Sequence, residues 1–347
     1  MKLNDVLKYS IWTGIFVIPF IPFVVAGSMF FPFITGKTFL FRIIVEVIFF
    51  FWILLAIRDK EYRPRFSWLL ASFTAFTVVM ALATFTSQNP FKSFWSNFER
   101  MEGYITILHL FAYFLVVGSV LKTQKIWGTF LNTSIGASLI MVVYVIFQLA
   151  GYVKINQGGV RTDGTLGNSA YLAVYMLVHI FLTAFMLVKI KRNVWLKYSY
   201  GLVIILQIFA LYHTATRGAM LGLIVGVFVT GLLIAIFERE NKLAQRIAFG
   251  TVAISVILVV GFMFARNASF IKNSPVLSRF SSISLTETTT KSRFMVWSMA
   301  WQGFKERPVL GWGQESFNYV FNKYYNPQMY GQEQWFDRSH RDTARCR

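Results

Sequence analysis

Residues 198–237 read YSYGLVIILQIFALYHTATRGAMLGLIVGVFVTGLLIAIF, forty residues in which Arg217 is the one Asp, Glu, Lys or Arg. About twenty apolar residues carry a helix across a bilayer. The stretch therefore reads as two spans, 198–215 and 219–237, joined by a short turn that holds Arg217. A helix on the surface of a soluble protein keeps a polar face, and neither of these spans has one.

Working outward, seven further stretches read the same way: 11–31, 39–57, 67–86, 104–121, 126–153, 169–188 and 247–265. The composition agrees. Only 14% of the 347 residues are charged against 56% hydrophobic, where a soluble domain carries about a quarter charged. The expected fold is an all-α polytopic transmembrane helix bundle of about nine spans over 1–265. A long extracytoplasmic loop with an amphipathic helix follows over 266–340, then a tail at 341–347. Pro19 and Pro22 are expected to kink the first span, and Arg42 and Glu46, one turn apart in the second, to satisfy each other. The first span, which Lys2 and Lys8 precede, reads as an uncleaved helix rather than a signal peptide, because another span follows at once.

The net charge of +19 sits in short clusters between spans: Arg58–Arg65, Lys122–Lys125, Lys189–Arg192 and Glu238–Arg246. The alternate connections, 32–38, 87–103, 154–168 and 213–218, carry few lysines or arginines. Positive charge marks the cytoplasmic side. The N-terminus is thus expected inside, and the loop from Arg266 outside. This distribution, with no recognisable nucleic-acid fold pattern beside it, argues against a nucleic-acid partner. The single cysteine, Cys346, excludes an intramolecular disulfide framework. No Asp-x-Asp pair, no phosphate loop ending in Gly-Lys-Ser/Thr and no His-Glu-x-x-His occurs, so the residues suggest no metal site and no nucleotide cofactor.

The outer connections hold the candidates for chemistry. Arg217, in Thr214–Gly222, stands at a helix N-terminus beside Gly218, Ala219 and Gly222, which allow close backbone approach. Guanidinium forks and a helix dipole make an anion site there; snorkelling to lipid headgroups is the other reading. Arg293 lies in Thr288–Trp297, where Phe294, Trp297, Trp301 and Phe304 recur at helical spacing until Pro308. That is an amphipathic helix at the membrane face, in contact with membrane lipids. Lys291 and Arg293 in its first turn oppose the helix dipole and make sense if they hold an anion; attraction to headgroups fits equally. His340 closes Asp337–His340, where Asp337 could orient it as a general base, and a solvated histidine is the bland alternative. Arg161 belongs to the turn-rich loop Gly158–Asn168, as a third anion ligand or plain polar surface. Phe91–Gly103 mixes aromatics with charges, either as an interfacial belt or as a wall of a sugar cleft.

Taken in order, Arg161–Asn168, Thr216-Arg217-Gly218-Ala219-x-Leu221-Gly222, Ser292-Arg293-x-x-x-Trp297, Glu306-Arg307-Pro308-x-Leu310-Gly311-x-Gly313 and Asp337–His340 resemble the O-antigen ligase and O-antigen polymerase family of bacterial envelope glycosyltransferases. The resemblance covers most of the chain and is strongest from Arg161 onward. It implies a metal-independent transferase of the GT-C type in the bacterial inner membrane. Such an enzyme moves a glycan from an undecaprenyl-pyrophosphate carrier to an acceptor hydroxyl on lipid A core, a polysaccharide or a protein. By the same resemblance Arg217 and Arg293 bind the leaving pyrophosphate, and His340 takes the acceptor proton or positions the acceptor. Arg161, Asn168, Lys291 and Trp297 are the implied substrate-binding residues. In the family the histidine is followed by asparagine and further apolar helices, whereas here Arg341–Arg347 follows, which reads as a truncated or frameshifted end. A lipid-linked oligosaccharide transporter is the alternative from another class, although short loops and internal repeats, its usual marks, are not seen. A non-catalytic assembly protein is a third.

Overall fold

The computed structural model describes residues 3–157, 159–190, 192–281 and 288–330, and among these the regular structure is helical throughout. Fourteen α-helices follow in order: α1 Leu3–Val17, α2 Thr35–Arg58, α3 Trp68–Phe85, α4 Pro90–Trp95, α5 Tyr104–Val120, α6 Gln124–Leu149, α7 Ser169–Lys189, α8 Val194–His213, α9 Arg217–Phe237, α10 Lys242–Ala265, α11 Ser269–Lys272, α12 Leu277–Ser281, α13 Thr288–Glu306 and α14 Phe317–Lys323. Eight helical segments of 18 residues or more are apolar enough to cross a membrane, and α5, at 17 residues, is a shorter apolar helix. The protein is a multi-pass membrane protein, as the hydropathy reading expected.

Helix starts are set by side-chain caps. Ser67, Asn89, Asn193 and Asn241 each accept a backbone N–H three residues on, at 3.0–3.1 Å. The first span differs most from its expected 11–31. It begins at Leu3, tightens into a 3₁₀ turn over Ile18–Phe23 and leaves helical geometry at Val24. Pro19 and Pro22 supply no N–H to the ladder, so the helix ends there instead of bending and continuing.

The chain divides into two compact units, 1–127 with 284–347, and 128–283. In the first, α1 packs on α2 through buried Ile11, Ile15, Val45, Ile48 and Leu55. Gly14 makes the approach close, since a Cβ there would sit 2.2 Å from Ile48 Cγ2. Arg42 and Glu46 do not simply satisfy each other. Arg42 donates to the Met101 carbonyl and to Thr106 Oγ1 (3.0 Å), while Glu46 meets His109 Nε2 of α5 at 3.0 Å. Both therefore tie α2 to α5 and to the residues just before it: buried Arg42 takes the partners that the packing offers, and Glu46, itself exposed, reaches the buried His109.

In the second unit, α6, α7 and α8 enclose Met141, Val145, Leu172, Met176, Ala210 and Leu211. Hydrogen bonds stitch the three together: Ser134 to His179 (3.0 Å), Thr183 to Gln207 (3.1 Å), Gln207 to Ser138 (2.8 Å) and Tyr200 to Asn132 (2.6 Å). Lipid tails are as apolar as leucine, so such bonds and close packing, rather than water exclusion, bring spans together. Small residues do the same between α9 and α10, where a Cβ on Gly231 would lie 3.1 Å from Val252 Cγ2.

Candidate functional site

The loop before α7 is built from its own polar side chains. Asp163, fully buried, accepts from Gln148 Nε2 at 2.7 Å and from the Gln157 N–H at 3.0 Å. Gln148 Oε1 in turn accepts the Gly164 N–H (2.9 Å), and Gln157 Oε1 accepts from the Ser169 hydroxyl (2.8 Å). Gly164, at φ +58°, has Met141 Sδ only 2.8 Å from where a Cβ would stand. Asn168 accepts the Ala170 N–H at 2.8 Å as the N-cap of α7.

This loop is fastened to the α8–α9 turn. The Thr162 N–H donates to the His213 carbonyl (3.2 Å), Arg161 Nε to the Thr214 carbonyl (3.1 Å) and Arg161 Nη2 to Thr216 Oγ1 (3.3 Å). The turn itself passes through Ala215 at φ +47°, a left-handed conformation that costs a residue with a Cβ about 1–2 kcal/mol. It holds Arg217 at the first position of α9. Thr216, at the N-cap, places no side chain on the first-turn N–H groups, since its hydroxyl engages Arg161 and the Ser169 carbonyl (3.3 Å).

A third arginine joins the first two. Arg279 on α12 lies close enough for its charge to act on Arg161, and Arg217 acts on both. Burial first, then Arg279 and Arg217, pushes the Arg161 guanidinium below the ordinary arginine range; burial and Arg217 do the same to Arg279. Arginine keeps its proton in proteins, so three like charges share one half-buried place beside a helix N-terminus. That arrangement is adapted to a multiply charged anion. The sequence reading had found Arg161 and Arg217 but not Arg279, which stands in no motif. Its one signal was a basic residue in a short apolar turn, Pro275–Ser281, after the last long span.

Lys291, Arg293 and Trp297 lie in the other unit, on α13, with all three side chains exposed. Because α13 begins at Thr288, Arg293 stands in the second turn and not, as expected, in the first. The face of α13 that packs on protein is a different one from the aromatic face, which was expected to meet membrane lipids. Val296 and Met299 form a small core with Phe321 and Met329, while Phe294, Trp297, Trp301 and Phe304 remain 49–57% exposed. The aromatic spacing marked the helix correctly, but its inward face is set by the shape of α14. Gly303 allows α14 to come close: a Cβ would lie 2.5 Å from Val320 Cγ1.

The Glu306–Gly313 motif does structural work here. Glu306 pairs with Lys323 and accepts from the Tyr324 hydroxyl, Arg307 lies 4.3 Å over the Trp312 ring, and Trp312 Nε1 donates to the Gly303 carbonyl at 2.9 Å. Gly313, at φ +88°, seats the turn against the end of α3, its missing Cβ 2.2 Å from Ser87 Cβ. Ser93 of α4 donates to the Gln314 carbonyl, and Gln314 Nε2 to that of Glu102. In this way the Phe91–Gly103 stretch becomes the seat of the α13–α14 segment. His340 lies outside the described residues. Among those residues no cluster of three or more His, Cys, Asp or Glu is placed to hold a metal ion.

Searches of curated proteins and of solved structures returned no match. Residues 202–343 do match the family model described as O-antigen ligase, a stretch that contains Arg217, Arg279, Arg293 and His340 and leaves Arg161 outside it. Over that stretch, within a chain of membrane-spanning helices, the protein is similar to the O-antigen ligases.

Proposed function

We propose that the protein transfers a glycan from an undecaprenyl-pyrophosphate carrier to an acceptor hydroxyl at the outer face of the bacterial inner membrane. The observation that carries this reading is the gathering of Arg161, Arg217 and Arg279 at the N-terminal end of α9. In the reaction the acceptor oxygen bonds to the anomeric carbon as the bond from that carbon to the pyrophosphate oxygen breaks. The electron pair goes to the leaving diphosphate. Guanidinium forks match phosphate oxygens bidentately and stabilise that growing charge, and in a half-buried site they do so more strongly than in water. The arginines thus take the part that a divalent cation plays at many diphosphate leaving groups.

The family resemblance gives Arg293 the same affinity for the leaving group, and His340 the acceptor proton. Lys291 and Trp297 are proposed to bind substrate from α13. Asn168, through its cap on α7, holds the Arg161 loop in place. In this reading the N-terminus is cytoplasmic and the segment after α10 outside, with the arginine cluster on the side where the acceptor hydroxyl is met; the basic connections between spans support it.

The test uses the purified full-length protein in vesicles with a labelled undecaprenyl-pyrophosphate glycan and a hydroxyl acceptor. Wild-type protein is expected to form the new glycosidic bond and release undecaprenyl pyrophosphate, and Arg217→Ala to lose that activity. Movement of the lipid-linked glycan across the vesicle with no bond formed would instead make the protein a transporter.

A further inference from the structure

A second place in the molecule has the chemistry of a ligand site, and it is uncharged. Between α13 and the residues that follow α14 lies a cleft of about 260 Å³. Phe294, Tyr324, Met295 and Met299 line it, and Ser298, Gln302 and Asn326 supply polar groups. Among the described residues the side chains of Ser298 and Gln302 make no hydrogen bond, while Asn326 uses only its Oδ1, accepting the Gln328 N–H at 3.0 Å. Hydroxyl and amide groups that both donate and accept are thus turned to one cleft beside two rings.

The Tyr324 ring is also held in position. Its hydroxyl donates to Glu306, which is itself paired with Lys323, and Lys323 Nζ lies 5.6 Å from the ring centroid, so the ring that lines the cleft is fixed from both. Phe294 stands edge to face with Trp297 at 5.6 Å. A lining without lysine, arginine or carboxylate offers nothing to a phosphate or an ammonium group. Rings that accept a C–H face, together with neutral groups that bond hydroxyls, fit a pyranose. The volume falls just below the roughly 300 Å³ at which pockets for drug-sized ligands begin, which suits one sugar ring and not a longer segment.

We propose that this cleft binds a single uncharged pyranose of a glycan that takes part in the transfer reaction, a subsite that rests on the transferase reading above. Gln302 and Ser298 hydrogen-bond its hydroxyls, the Asn326 amide N–H group donates to it, and the Phe294 and Tyr324 rings cover its C–H face. The sugar belongs either to the lipid-linked donor or to the acceptor, and the kinetics separate the two.

The experiment is saturation-transfer NMR on the full-length protein in detergent micelles, with methyl glycosides of glucose, galactose, N-acetylglucosamine and rhamnose as probes. At least one glycoside is expected to take up saturation from the protein. The signal should fall about three- to tenfold in Gln302→Leu and in Asn326→Asp, which keeps the Oδ1 cap while losing the N–H donors. Val309→Ser, at an exposed position away from the cleft, should bind as wild type does. In the transfer assay Gln302→Leu should raise one KM by a similar factor with kcat little changed. A rise for the lipid-linked glycan assigns the sugar to the donor, and a rise for the hydroxyl substrate assigns it to the acceptor. If no glycoside binds, or if both variants bind as wild type does, the subsite is overturned while the arginine chemistry stands. Loss of glycoside binding with neither KM altered overturns its place in the reaction. Full transfer by Arg217→Ala, with the glycosides still bound, overturns the role of the arginines and leaves a sugar-binding cleft.

Discussion

Arg161 Nε donates to the Thr214 carbonyl at 3.1 Å, joining residues 53 apart in sequence. This bond, with the one from Nη2 to Thr216 Oγ1, turns a glycine-rich loop and a strained interhelical turn into one assembly. Arg161 consequently stands where Arg217 and Arg279 already concentrate positive charge. Like charges repel, so the cluster persists because the surrounding hydrogen bonds fix it, and an anion relieves it.

The first prediction concerns Arg279. Arg279→Ala is expected to lower transfer about tenfold to a hundredfold, the effect of removing one charge-assisted hydrogen bond. Arg217→Ala should do at least as much. The double variant should fall short of the product of the two, because neighbouring ligands of one anion couple. Initial rates at varied lipid-linked glycan measure all three.

Arg161→Lys keeps the charge but loses the two-point hold on Thr214 and Thr216. A lysine cannot reproduce the planar fork. Transfer is expected to drop while the protein stays folded, and hydrogen exchange of the Thr214–Arg217 amides should rise. Unchanged exchange there would mean that the loop is held by other bonds.

Asp163→Ala takes the acceptor from the Gln157 N–H and one of two acceptors from the Gln148 side-chain amide, which keeps the Lys154 carbonyl. An orphaned donor costs about 1–3 kcal/mol. The thermal midpoint in detergent should therefore fall, and by clearly more than in an alanine variant of the exposed, uncapped Lys154 nearby.

Glu306 supplies a pH test. The Lys323 and Tyr324 hydrogen bonds hold its carboxyl below the ordinary value of 4.5. A carboxyl with a lowered native pKa stabilises the fold above its unfolded pKa and loses that contribution as pH falls through the native one. The α13–α14 segment should accordingly keep its order at neutral pH and loosen below about 4.5. Trp312 fluorescence follows this change, because its ring sits 5.7 Å from Lys323 Nζ. In Glu306→Gln that pH dependence should be absent.

Gly313→Ala introduces a Cβ at φ +88° and within 2.2 Å of Ser87 Cβ. The turn can accommodate neither the conformation nor the atom. The segment should detach from the end of α3, seen as faster proteolysis after Pro308, whereas Gly311→Ala, with φ +67° and open space, should cost only about 1–2 kcal/mol.

How much of this was legible in the chain differs from one feature to the next. The spans were, because lipid offers backbone groups no partner and so requires long apolar helices of recognisable length. Arg217 stood out as the one Asp, Glu, Lys or Arg among forty residues. The early end at Val24 was less legible, since a pair of prolines signals a break without saying whether the helix resumes. Hydropathy also could not give the partners of Arg42 and Glu46, nor the side of α13 that turns inward. It records which residues avoid water and not which neighbour they meet.

A helical membrane protein and the order of its spans could be read from the chain alone, together with the expectation of family-like stations at Arg161, Arg217, Arg293 and His340. Packing brought Arg279 to Arg161 and Arg217, set Tyr324 in the lining of a neutral cleft, and made the Glu306–Gly313 motif a clamp. The physical reason is that hydrogen bonds and charges act across a few ångströms, and residues as far apart as 161 and 279 acquire that proximity only when the helices between them pack.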